Sequence, residues 1–130
     1  MRIVMLTAAV LAMSLGLPGP ILPTNEHGPI KLTQTIKNGT LRVSMKNISN
    51  LPISAYVVAV EDGGQWKTHH DFFTGRDAFK PGKTIELVFA VQSSASTPNV
   101  FVDYVRLADK STWGNRVTED AKDVAASFQK

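Results

Sequence analysis

The chain has 130 residues, 43% of them apolar and 19% charged, which suits one folded domain and excludes a disordered chain. It has no cysteine, so disulfides, zinc–thiolate sites, thiol catalysis and cysteine-linked lipid anchors are excluded together. The formal net charge is +3, but Lys and Arg are scattered with no run of either, and a nucleic-acid groove normally needs a clustered basic stripe.

Met1-Arg2 gives a short positive start, and the apolar stretch from Ile3 to Met13 follows it. That stretch is shorter than the roughly 20 residues a membrane-spanning helix needs, and Ser14 and Gly16 supply small residues behind it. The pattern predicts a signal peptide over 1–17 and export to a periplasmic or extracellular space; an uncleaved leader would instead tether the chain to a membrane. Residues 18–29, with Pro18, Pro20, Pro23 and Pro29, read as a flexible tail, and 30–130 as the folded domain.

Ile30, Leu32 and Thr35-Ile36 mark a first strand, and Asn38-Gly39 is a hairpin turn, since both residues tolerate positive φ. Leu41, Val43 and Met45 alternate with Arg42, Ser44 and Lys46, the pattern of a half-buried strand. A turn is predicted over 47–52. Residues 53–60 are apolar on both faces, with Ile53, Ala55, Val57 and Ala59 on one and Tyr56, Val58 and Val60 on the other. A strand of this kind needs cover on both sides, from the C-terminal segment or from a partner.

Glu61-Asp62-Gly63-Gly64 ends that strand, and 66–73 is the least regular part, a short strand or a loop pinning aromatics to the domain. Pro81-Gly82-Lys83 is a turn before the alternating Ile85, Leu87, Phe89 and Val91. A polar loop over 93–98 leads to a strand over 99–107, and Asp109-Lys110-Ser111 turns the chain toward Trp113-Gly114. Thr118 followed by Glu119 and Asp120 is a helix N-terminus, and Val117, Ala121, Val124, Ala125 and Phe128 fall near helical spacing. Short strands with frequent turns and no strand–helix–strand alternation predict an all-β fold. The expectation is an immunoglobulin-like antiparallel β-sandwich of about seven strands with a short C-terminal helix.

Two phrases carry a resemblance. Residues 47–56, Asn-Ile-Ser-Asn-Leu-Pro-Ile-Ser-Ala-Tyr, resemble the turn-then-strand phrase of small exported bacterial domains with an immunoglobulin- or fibronectin-like sandwich. Residues 105–114 resemble an aspartate–glycine–serine–tryptophan–glycine turn in uncharacterised exported proteins of acidobacterial type, with Lys110 where those often have glycine. The resemblance implies fold and export, and carries no activity.

Candidate sites are few. His69-His70-Asp71 has ligand chemistry, but on a strand only His69 and Asp71 share a face, and zinc normally takes three or four protein ligands. Glu61, Asp62 and Asp71 lack the spacing of a calcium loop. No Gly-x-Ser-x-Gly elbow is present. Asn38-Gly39-Thr40 and Asn47-Ile48-Ser49 match the glycosylation pattern. Trp66, Phe72, Phe73 and Phe79 crowd one segment and are the expected partner surface, if exposed. The expected role is a non-enzymatic exported binding domain. It would have no catalytic, metal or cofactor residues, its partner would be another exported or envelope protein, and nucleic acid is not among its ligands. The competing roles are a carbohydrate-binding module, which needs Trp66 and Trp113 exposed and coplanar, and a metal-dependent hydrolase using His69 and Asp71.

Overall fold

The computed structural model describes residues 26–92 and 97–129. The signal peptide expected over 1–17, residues 18–25 of the tail and residues 93–96 of the polar loop lie outside the described residues. The described strands are β1 (Glu26–His27), β2 (Ile30–Lys37), β3 (Thr40–Asn47), β4 (Ile53–Asp62), β5 (Gln65–Phe72), β6 (Thr84–Ala90), β7 (Asn99–Leu107) and β8 (Thr112–Trp113). One α-helix, α1 (Glu119–Ser127), follows them.

The strands form two four-stranded antiparallel sheets, ordered β1-β2-β3-β6 and β5-β4-β7-β8. Hairpins join β2 to β3, β4 to β5 and β7 to β8, while the chain changes sheet after β3, β5 and β6. The two sheets face one another as an antiparallel β-sandwich, the fold class the sequence predicts. Asn38 and Gly39, at φ 54° and 77°, form the two-residue turn between the paired Lys37 and Thr40.

The core lies between the sheets. Ile30, Leu32, Leu41, Val43 and Met45 from the first sheet meet Tyr56, Val58, Val60, Val102 and Val105 from the second. Ile85, Leu87 and Phe89 of the edge strand β6, with Val91 just after it, close its rim. Buried Asn47 pins one end. Its Nδ2 donates to the carbonyls of Leu51 and Phe79, each at 2.9 Å, and its Oδ1 accepts from the backbone N–H and hydroxyl of Ser49 at 2.9 and 2.7 Å. That side chain is enclosed and fully committed, so the glycosylation pattern beginning at Asn47 presents no accessible amide.

Three expectations need correction. The domain does not start at Ile30: β1 pairs with β2, and the Pro29 carbonyl accepts from Ile48 N–H at 2.8 Å, so residues 26–29 belong to the sandwich and not to a tail. Residues 66–73 are not the least regular part: of the two readings, short strand or loop, the strand holds, with β5 paired to β4 along its whole length and Phe73 just beyond it. Ile53 does not share a face with Ala55 and Val57: a bulge at Ser54 shifts the register, and Ile53 joins Tyr56 and Val58 in the core.

Both faces of β4 are covered, as its composition required. The helix α1 lays Ala121, Val124 and Ala125 on Ala55, Val57 and Tyr104, with Phe128 packed beside them. Nine residues are too few for a helix to be stable alone. Burial of this small apolar face contributes roughly 3 kcal/mol toward holding it.

The β5–α1 seam as candidate functional site

Strand alternation sorts β5 into two faces. Trp66, Thr68, His70 and Phe72 point to the outer, helix-bearing side of the sheet, while Lys67, His69 and Asp71 point toward the sandwich interior at its edge. Inward-pointing charges on an edge strand discourage another strand from pairing there. Lys67 Nζ reaches both the Ala90 carbonyl of β6 and the buried Asp62 carboxylate, the latter at 3.6 Å.

On the outer side, β5 meets the entry to α1. Asp103 places that entry. It is the extra residue of a bulge in β7, between the pairs Val57–Tyr104 and Val58–Val102, and its side chain is buried. One carboxylate oxygen accepts from Val117 N–H at 2.8 Å; the other accepts from the N–H and hydroxyl of Thr118, both at 2.7 Å. Thr118 Oγ1 in turn accepts from Ala121 N–H at 3.1 Å and caps the helix. Gly114 lets the chain pass close to the bulge, since a Cβ there would fall 2.4 Å from the Asp103 carbonyl oxygen.

A groove of about 500 Å³ results, lined by Trp66, Thr68, Val117, Thr118, Glu119 and Asp120. The Trp66 ring packs edge-on against Phe101 at 5.6 Å, yet 48% of the residue stays exposed, and Val117 across the groove is 55% exposed. His70 Nδ1 meets Asp120 Oδ2 at 2.9 Å and ties β5 to the first turn of the helix. Further along the seam, Phe72 contacts Phe128 at 5.8 Å, and the Arg106 guanidinium lies 4.0 Å over the Phe128 ring.

The four aromatics expected as one surface therefore separate. Trp66 and Phe72 are exposed at the seam, whereas Phe79 is wholly buried and Phe73 packs against the core from its rim. Phe73 and Phe79 both face Tyr56, at 5.9 and 6.3 Å. Val117, Glu119 and Asp120 join Trp66 in their place. Only the period-2 spacing of Trp66, Thr68, His70 and Phe72 could have marked this outer face in the sequence.

Trp66 and Trp113 do not make a shared platform. They stand on the two opposite edge strands of one sheet and at different heights, Trp66 opposite Glu61 and Trp113 level with Tyr56 five residues away, so they are roughly 20 Å apart. Trp113 is opposite Val105 on the inner side, and its ring lies against Gly28, where a Cβ would fall 2.5 Å from three ring atoms.

His69 and Asp71 do share a face, and His70 points away. His69 Nε2 is 3.0 Å from Asp71 Oδ2, which also accepts from the Tyr56 hydroxyl at 2.9 Å. Burial, with the adjacent Asp71 carboxylate, holds the Tyr56 phenol far above its ordinary range. Among the described residues no group of three or more His, Cys, Asp or Glu gathers in a way that could hold a metal ion. Glu61, Asp62 and Asp71 do not converge: Asp62 pairs with Gln65 at one end of the β4–β5 hairpin, and Asp71 with Tyr56 toward the other.

Among the described residues no helix is long and apolar enough to cross a membrane. Comparisons with family models, with curated proteins and with solved structures each return no match to this chain.

Proposed function

We propose that this chain is an exported, non-enzymatic binding domain whose contact surface for another exported or envelope protein is the β5–α1 seam. The observation supporting this reading is Trp66, half exposed beside Val117 on a groove whose walls are a regular strand and a capped helix. A large aromatic held by Phe101, and so already ordered, binds a partner at little entropic cost. Export is the expectation drawn from the leader, and the bacterial resemblance agrees with it.

The test is a titration of the purified partner, first recovered through a photoreactive side chain placed at position 117. Trp66→Ala should weaken binding at least tenfold, about 1.4 kcal/mol, because central aromatics carry most interface energy. Ile36→Ala, at an exposed position on the other sheet, should leave it unchanged. Equal affinities for wild type and Trp66→Ala would reject the seam as the contact surface.

A further inference from the structure

Among the described residues no helix packs on the outer face of the β1-β2-β3-β6 sheet, and this face is built differently from the rest of the described surface. Alternation places Lys31, Thr33, Thr35 and Lys37 of β2 outward, with Thr40, Arg42, Ser44 and Lys46 of β3 beside them. The register sets Lys31 opposite Lys46, Thr33 opposite Ser44, and Lys37 opposite Thr40. Two shallow depressions result. One of about 200 Å³ joins Lys31 and Lys46 with Thr33, Ser44 and Thr84. The other, of about 210 Å³, joins Lys37 and Arg42 with Thr35, Asn38 and Thr40. Each combines two cations with hydroxyl donors, the chemistry that receives a phosphate oxygen.

Two acidic residues belong to the strands of this sheet, Glu86 of β6 and Glu26 of β1. Glu86 lies 3.5 Å from Arg42, both side chains more than half exposed, and Glu26 stands opposite Lys31 in the backbone register. Much of the remaining acid lies on the other sheet, where Glu119, Asp120 and Asp123 belong to α1.

We infer that this face docks on an anionic phospholipid surface, seating lipid phosphates in the two depressions. The two depressions lie along the strands, between residues four apart on β3 and six apart on β2, or roughly 14–20 Å. Laterally mobile headgroups can match such a spacing. A single nucleic-acid strand would look instead for a groove with aromatics to stack its bases, and this face offers hydroxyls and cations on a sheet. The inference does not rest on the seam or on the fate of the leader, and it leaves the seam on the side of the molecule away from the lipid.

Each basic residue near such a surface is worth about fivefold in partitioning. Four cations against two carboxylates then predict a preference of about 25-fold for anionic over uncharged vesicles. The experiment is co-sedimentation of the full chain at low salt with phosphatidylcholine vesicles, with and without about a third phosphatidylglycerol. The ratio of the two partition coefficients is the readout, so any insertion common to both vesicles cancels. Lys31→Gln with Lys46→Gln should bring the ratio to within about twofold of one, and Glu86→Gln should raise it about fivefold. Lys110→Gln with Lys122→Gln, off this face but removing the same charge, should leave it intact.

All these side chains are exposed, and unchanged melting temperatures would establish that the variants fold. A wild-type ratio near one would overturn the inference, as would an equal loss in the Lys110/Lys122 variant. So would soluble polyphosphate displacing the chain from vesicles at equal phosphate, which would reassign the face to a soluble polyanion.

Discussion

At the scale of single residues, stability concentrates in polar side chains taken out of water and given every partner they need. Asn47 uses all four of its amide bonding positions on Leu51, Phe79 and Ser49, so Asn47→Ala breaks four hydrogen bonds at once and leaves the Ser49 N–H without its acceptor, while the Leu51 and Phe79 carbonyls keep only the Ser49 hydroxyl and the Ile53 N–H. The expected loss is about 3 kcal/mol, or more than 10 °C in melting temperature for a domain this size. Tyr56 predicts a pH effect of known sign. Its phenol stays neutral in the fold because burial and Asp71 oppose the phenolate, while in the unfolded chain it ionises near pH 10. Its contribution is therefore complete below about pH 10 and is lost as pH rises above that. Chemical denaturation between roughly pH 8 and 11 should show stability falling at the alkaline end. Tyr56→Phe should remove most of that fall, leaving the smaller part from Tyr104, whose phenol is also raised by burial. An unchanged alkaline slope in Tyr56→Phe would show that the effect arises elsewhere.

At the scale of elements, most of the fold was legible because each strand obeys a simple period. Leu41, Val43 and Met45 on β3, the Asn38-Gly39 turn, and Thr118 with Ala121, Val124 and Ala125 on the helix stand where their spacing placed them. What escaped was bulges and edges. Ser54 and Asp103 each add one residue to a strand and exchange the faces beyond it, and alternation cannot announce such a step in advance. Strand β5 looked irregular because it inverts the usual rule, with charges inward at the edge and aromatics outward beneath a helix. Asp103 left one trace, a lone acid within Asn-Val-Phe-Val-Asp-Tyr-Val-Arg-Leu. Its task of anchoring the turn into α1 predicts the effect of Asp103→Asn. The new amide nitrogen must face a donor at Val117 or Thr118, costing about 2 kcal/mol. Hydrogen exchange at the amides of Ala121, Val124 and Ala125 should accelerate far more than at Val43 and Met45 in β3. Uniform acceleration would mean that the helix opens only with the whole domain.

At the scale of the whole molecule, the two sheets present different exteriors. One is hydroxyl-rich and cationic; the other carries α1 and the groove at Trp66. Sequence reading located the aromatic segment but not its division, since Phe73 and Phe79 lie only a few residues from Phe72 yet belong to the core. It also passed over the cationic face, because Lys31, Lys37, Arg42 and Lys46 are separated in the chain and meet only through strand pairing. The most direct measurement is a photocrosslinking scan in cells that export the chain, with the reactive side chain placed in turn at positions 66, 72, 117, 37 and 88. The first three should trap one common protein partner, and positions 37 and 88, on the outer face of the other sheet, should not. Trapping of the same partner with equal yield from all five positions, or only from 37 and 88, would contradict the seam as the binding surface.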